Sequence, residues 1–324
     1  MKKLLLVLTL FIFSSSCSNP PPPTEPLKIA VLATWPGCNV IAIAQEKGFF
    51  AKHDVQVTLI PKPDYMYSLN EFKQRQVDGA FMVLSDVIML NAEGIPTNSV
   101  YATDYSETGD LIVGQPTLNS LKDIKGKTIA FEGFNSFSHL FVIKLLEKVS
   151  IHEGEFKAVS LDASKVLEAL EAGEIEAGHV YGPTVPQILA KGYKVLAKAE
   201  QVSNLMVDTF AVHEKVAKER KKEVQGIVNA LVEAIEFLNN FPDEGFPIIA
   251  QFANVPRNNL EEIRSTLHIL SVAENRAFFK KGGELFKGGQ EIVDFFYQKG
   301  GLVKIPDLNQ VIDGQFVENI GDKP

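Results

Sequence analysis

The stretch that decides the fold is LKIAVLATWPGCNVIAIAQEKGFFAKHDVQVTLI, residues 27–60. It opens with a nearly unbroken apolar run, residues 27–33, the pattern of a strand buried on both faces. The turn Thr34-Trp35-Pro36-Gly37 follows, and residues 39–47 read as a helix stopped at Gly48. VQVTLI, residues 55–60, then alternates like a strand. Two strands joined through a helix form a parallel βαβ unit, which needs helices on both sheet faces.

Outward from that unit the pattern repeats. Residues 67–76 read as helix, 79–83 as strand, 86–92 as a helix capped by Ser85 and ended by Gly94, and 98–103 as extended chain. A second series begins after Gly114. It has a short helix at 121–124, strands at 128–131, 156–160, 177–180 and 193–197, and helices at 138–148, 163–172 (capped by Asp162) and 185–190. A long helix is expected over 215–239 and a mainly helical remainder broken at Pro242, Pro247, Pro256, Gly282 and Gly288. The chain is therefore expected to be α/β with two βα lobes, a hinge and a helical C-terminal tail. Lobe one takes residues 27–105 plus 209–324, lobe two takes 106–208, and crossings fall near 103–114 and 204–210.

The N-terminus reads as an export signal. Lys2 and Lys3 precede an apolar run at 4–13, and Ser14, Ser15 and Ser16 lead into Cys17. That run is shorter than the ~20 residues a spanning helix needs. The small-residue step before Cys17 resembles the lipobox of bacterial lipoproteins, although Ser14 stands where leucine is usual. Residues 1–16 are then a signal peptide, Cys17 is lipidated, and residues 17–26, with Pro20 to Pro23, form a stiff tether. The expected location is the cell envelope, facing periplasm or exterior, with the lipid as the only membrane contact.

Composition narrows the partners. Of 32 basic residues, loss of Lys2 and Lys3 leaves 30 against 40 acidic ones, a balance that argues against nucleic acid. Cys38 is the only cysteine besides Cys17, so no disulfide framework exists. No metal-ligand or serine–histidine–acid spacing stands out, and neither a catalytic residue nor a cofactor is expected.

In open α/β sheets ligands bind beyond the C-terminal strand ends. That rule selects the strand-to-helix junctions and the crossings: Thr34, Trp35 and Asn39; Ser85 and Asp86; Asp104 and Tyr105; Glu132 and Ser136; Tyr181; and Asp208. Ser136 or Ser138 is expected to cap the helix after EGFNSFS, whose free N–H groups suit an anion. Trp35 and Tyr181 are expected to sandwich a ring, with acidic side chains reading its amino groups.

Several segments together resemble the periplasmic binding proteins for nitrate, sulfonates, taurine and thiamine pyrimidine precursors (NMT1/THI5-like). AQEKGFFAKHDVQVTLIP is similar to the family's G-F-F and second strand, and QVDGAFMVLSD to its G-x-x-D-A step. TDYSETGDLIVG resembles the crossing segment, LKDIKGKTIAFEG the d-L-K-G-K-t-v-a motif, and EALEAGEIEAGHVYGP the a-L-x-x-G-e-i-D-A motif. The resemblance implies a type II periplasmic-binding-protein-like fold, a monomer that delivers a small solute to ABC permease transmembrane subunits. Three positions depart from the family: Glu176 replaces aspartate, Gly182 stands where many relatives carry glutamate before Pro183, and Cys38 stands where a close subset has tyrosine. Two alternatives share the resemblance: a ligand-sensing lipoprotein without transport, and a thiamine-pyrimidine synthase of the yeast type.

Overall fold

The computed structural model describes residues 25–321. The signal peptide, Cys17 and nearly all of the tether lie outside the described residues. Eleven strands occur among those described: β1 (Leu27–Leu32), β2 (Val57–Lys62), β3 (Gly79–Val83), β4 (Thr97–Ser106), β5 (Asp110–Gly114), β6 (Thr128–Phe131), β7 (Lys157–Ser160), β8 (Ala177–Tyr181), β9 (Lys194–Lys198), β10 (Val207–His213) and β11 (Leu267–Ile269).

They form two sheets. One runs β11-β4-β10-β3-β1-β2 and the other β7-β6-β8-β5-β9. Apart from the edge strand β11, the two orders are the same pattern used twice. In each, three parallel strands meet an antiparallel strand that belongs to a chain crossing: β10 in the first sheet, β5 in the second. The repeated βα succession in the sequence thus becomes two related sheets, as expected for this fold class.

β1 and β3 are the apolar runs of the sequence, and all five residues of β3 are buried. At Gly79 a side chain would come within 3.0 Å of both Ile29 and Val212, which explains a glycine in a central strand.

Several local expectations are corrected. The helix over 215–239 is two helices, Glu214–Glu219 and Lys221–Asn240, parted at Arg220, whose guanidinium bonds Glu223 and the carbonyl of Glu25. Pro247 lies inside helix Pro242–Ala253, where burial of Phe246 and Ile249 outweighs one lost backbone bond. Gly288 does not break helix Glu284–Gln298; it is there because any side chain would meet the Asn204 carbonyl at 2.5 Å. The 103–114 crossing is mostly strand, with β4 continuing to Ser106 and β5 starting at Asp110. Ser85 does not cap its helix. Val83 runs straight from β3 into helix Leu84–Ala92, which puts Ser85 in the first turn, with its hydroxyl buried and unbonded.

Candidate functional site

The junctions after β1, β3, β6 and β8 converge on one cavity, with both crossings contributing. Its apolar wall includes Leu32, Phe81, Val83, Phe137 and Met206. Its polar wall is Trp35, Cys38, Tyr65, Tyr181, Asp110 and Asp208. The cavity measures about 30 Å³, room for about one or two waters. A solute of several heavy atoms therefore needs the cavity walls to move apart, as hinged two-lobed folds do around a ligand.

Trp35 comes off β1 in a turn and is nearly buried. Its indole N–H donates to Asp104 Oδ1 at 3.2 Å, and Thr103 Oγ1 donates to Asp104 Oδ2 at 2.7 Å. This approach depends on Gly37, where a Cβ would lie 1.8 Å from Asp104 Oδ2. Burial pushes Asp104 up to about 6, against those two bonds and the charge of Arg264. Cys38 is tied back through its thiol to the carbonyls of Leu32 (3.2 Å) and Trp35 (3.3 Å). Burial, then Asp208 and Asp104, hold that thiol well above its usual range.

Asp86 bridges the sheets. Tyr65 Oη donates to its Oδ2 at 2.6 Å, and the Phe137 N–H, opening helix Phe137–Lys148 of the second sheet, donates to its Oδ1 at 3.2 Å. Tyr65 Oη in turn accepts from the Val83 N–H at 3.0 Å. Burial raises Asp86 to about 6 in spite of these bonds.

Across the cavity, Glu132 is nearly buried and holds two donors: the Ala163 N–H at 2.8 Å and Tyr181 Oη at 2.9 Å. Burial pushes it to about 7. Tyr181 meets Trp35 edge to face, ring centres 6.0 Å apart and planes at 85°. The two rings expected to sandwich a ligand thus touch each other in this closed arrangement. Asp208, on β10 and partly open to solvent, is raised well above the carboxylate range by desolvation, then by Asp104, Asp110 and Asp86.

Of the residues singled out from the sequence, Trp35, Tyr181 and Asp208 line the cavity, Asp86, Asp104 and Glu132 stand behind it bonded to wall residues, and Ser85 and four others lie elsewhere. Thr34 is half-buried in the turn before Trp35 and outside the cavity wall. Asn39 is fully buried and donates to the Ala33 carbonyl at 2.7 Å, fixing the same turn. Tyr105 stacks on His268, ring centres 4.6 Å apart, toward the β11 edge. Ser136 is the helix cap, accepting from the His139 N–H at 3.2 Å. The helix N-terminus expected to offer free donors has two of them engaged within the protein, the Phe137 N–H by Asp86 and the His139 N–H by Ser136 Oγ. Besides Phe137, the N–H groups of Gly133 and Asn135 are taken by Ser160 Oγ and His139 Nδ1.

Sequence reasoning missed one buried chain. Asp110 Oδ1 pairs with His179 Nε2 at 2.9 Å, His179 Nδ1 with Ser138 Oγ at 2.6 Å, and Ser138 Oγ accepts from the Glu132 N–H at 2.9 Å. An ionised Asp110 requires Nε2 to carry the proton, which leaves Nδ1 to accept from Ser138. The residue types are those of a hydrolase triad but the order is inverted. The acid faces the cavity, while the serine is fully buried at the far end and outside the cavity wall.

Fold and cleft together define the two-lobed periplasmic-binding-protein class. Residues 35–245 match the NMT1/THI5-like family, and the chain belongs to that family. It is 24% identical to a putative binding protein of Brucella abortus over 243 residues, 73% of this chain and 74% of that one. It is 23% identical to the taurine-binding periplasmic protein of Escherichia coli over 219 residues, 64% and 67% of the respective chains. The alkanesulfonate-binding protein SsuA from Xanthomonas axonopodis pv. citri, bound to MOPS, superimposes with a TM-score of 0.72 at 18% identity, covering 90% of this chain and 100% of that one. No helix among the described residues is long and apolar enough to cross a membrane.

Proposed function

We propose that this chain is the solute-binding subunit of an ABC importer, anchored by lipid at Cys17 and facing away from the cytoplasm. It works as a monomer, closing residues 27–105 with 209–324 and residues 106–208 around a small solute, which it hands to the permease subunits. The observation that carries this reading is the cavity itself: strand ends of both sheets supply its walls, and both crossings run beside it. The names of the relatives agree with solute capture. Trp35, Asp208 and Tyr181 are the wall residues best placed to touch a solute, a small amine or polar heterocycle held against the two rings. The inverted order of Ser138, His179 and Asp110 favours binding over hydrolysis.

Two measurements test it. Deleting the gene should abolish uptake of one solute, restored by the wild-type gene and not by a Trp35→Ala, Tyr181→Ala double variant. Cys17→Ser should move the protein from the membrane fraction to the soluble fraction. Unchanged uptake of every solute tried, in a strain without this protein, would reject the transport role.

A further inference from the structure

Charge in the cleft is one-sided. Asp110 and Asp208 are part of its wall, and among the described residues no lining side chain carries a positive charge. Arg264, whose charge reaches Asp104, bonds Asn239 and is not part of the wall. The place where an oxyanion would be welcomed, the N-terminus of a twelve-residue helix, already has one from within the protein. Asp86 of the opposite sheet accepts there from the Phe137 N–H. A solute's sulfonate, nitrate or carboxylate would have to displace the Asp86 carboxyl and then lie against Asp110 and Asp208 with no lining cation to pair with.

The chain behind Asp110 points the same way. A wholly buried acid–histidine–serine chain adds little net stability, because desolvation offsets its attraction. Its open end is Asp110, held in one orientation at the cavity wall by His179. Aromatic rings surround the carboxylates, and ring faces attract cations.

We propose that the cleft selects solutes carrying a cationic nitrogen, a protonated amine or quaternary ammonium, with Asp110 and Asp208 as counter-ions, Asp208 releasing its proton to solvent as the cation enters, and the rings of Trp35, Phe137 and Tyr181 around it. Asp86 competes with any anion for the helix N-terminus, where it already accepts from the Phe137 N–H. The proposal rests on the solute-binding reading above. His179 acts as a positioning residue for Asp110.

Trp35 is the only tryptophan in the chain, so its fluorescence reports on this cleft alone. Three probes with one ring and one-carbon arm separate the charge classes: benzylamine, benzyl alcohol and phenylmethanesulfonate. Titrated into the wild-type protein, benzylamine should shift Trp35 emission and raise the melting temperature, while the other two do neither. Asp208→Asn and Asp110→Asn should each weaken benzylamine binding by about tenfold or more, as removal of a desolvated ionic partner does. Asp208→Asn should also melt higher than wild type without ligand, since it relieves the crowding of Asp104, Asp110 and Asp86; that gain separates lost binding from failed folding. Binding of phenylmethanesulfonate, equal binding of benzyl alcohol, or benzylamine binding unaffected by both substitutions would overturn the cationic class and leave the import reading standing. So would silence of Trp35 toward all three probes, whereas the import reading falls only with unchanged uptake in the deletion strain.

Discussion

Glu132→Gln provides a test of the cleft's electrostatics that does not need a ligand. Glu132 is nearly buried, and burial moves its carboxyl from the ordinary 4.5 up to about 7. The folded chain therefore holds this proton more tightly than the unfolded one. The resulting stability is fully present below pH about 4.5 and is lost as pH rises through about 7. At 1.36 kcal/mol per pKa unit, the ionised group costs about 3 kcal/mol at pH 8.5 and about 1 kcal/mol at pH 5.5. Glutamine keeps an acceptor for the Ala163 N–H, and its amide can donate to Tyr181 Oη, whose hydroxyl turns to accept. The variant should be more stable than wild type, with an advantage about 2 kcal/mol larger at pH 8.5 than at pH 5.5. Urea unfolding followed by circular dichroism at both pH values measures that difference. An advantage independent of pH, or a variant less stable at pH 8.5, would show that burial does not hold the Glu132 proton.

Other perturbations follow from the same contacts. Tyr65→Phe keeps the ring against Phe137 but leaves Asp86 Oδ2 and the Val83 N–H unpaired. It should cost about 1–3 kcal/mol in urea unfolding, and a cost near zero would remove Tyr65 from the bridge. Gly37→Ala places a methyl 1.8 Å from Asp104 Oδ2; it should push Asp104 away from Trp35 and change Trp35 emission even without solute. Unchanged emission would show that the approach of Asp104 is not what fixes Trp35. Lys299→Ala removes the ion pair between the residue ending helix Glu284–Gln298 and Glu153, beside His139 on the second sheet's side. It should favour the open form and speed proteolysis of the ligand-free protein; equal cleavage rates would deny that contact a part in closure.

What the sequence disclosed follows the physics of each element. β3 and β6 were legible residue for residue, because GAFMV and TIAF are short apolar runs between polar residues, Asp78 and Ser85 around the first and Lys127 and Glu132 around the second. Trp35, Tyr181, Asp208 and Asp86 could be placed near a cleft because strand ends in α/β sheets converge. β5 and β11 were hidden for different reasons. DLIVG follows β4 so closely that it reads as part of a crossing, and LHI has only three residues. The Asp110–His179–Ser138 chain was invisible for a stronger reason. Asp110 and His179 become same-face diagonal neighbours only through the β5–β8 register, which opposes Asp110 to Tyr181 and Ile112 to His179. No spacing along the chain encodes that register. The helix N-terminus after Glu132 was correctly located, but the sequence could not show that its Phe137 N–H goes to a carboxyl of the other sheet, 51 residues earlier.

The central claim is that a solute lodges between the two sheets beside Trp35. The most direct test is to purify the protein from its own cells, release any bound molecule with acid, identify it by mass spectrometry and return it to the refolded protein. The account predicts close to one equivalent of a single small compound carrying a basic nitrogen, whose return shifts Trp35 emission and is blunted in Asp208→Asn. Protein that releases no small molecule, with Trp35 emission indifferent to every fraction of the cell extract, would contradict it.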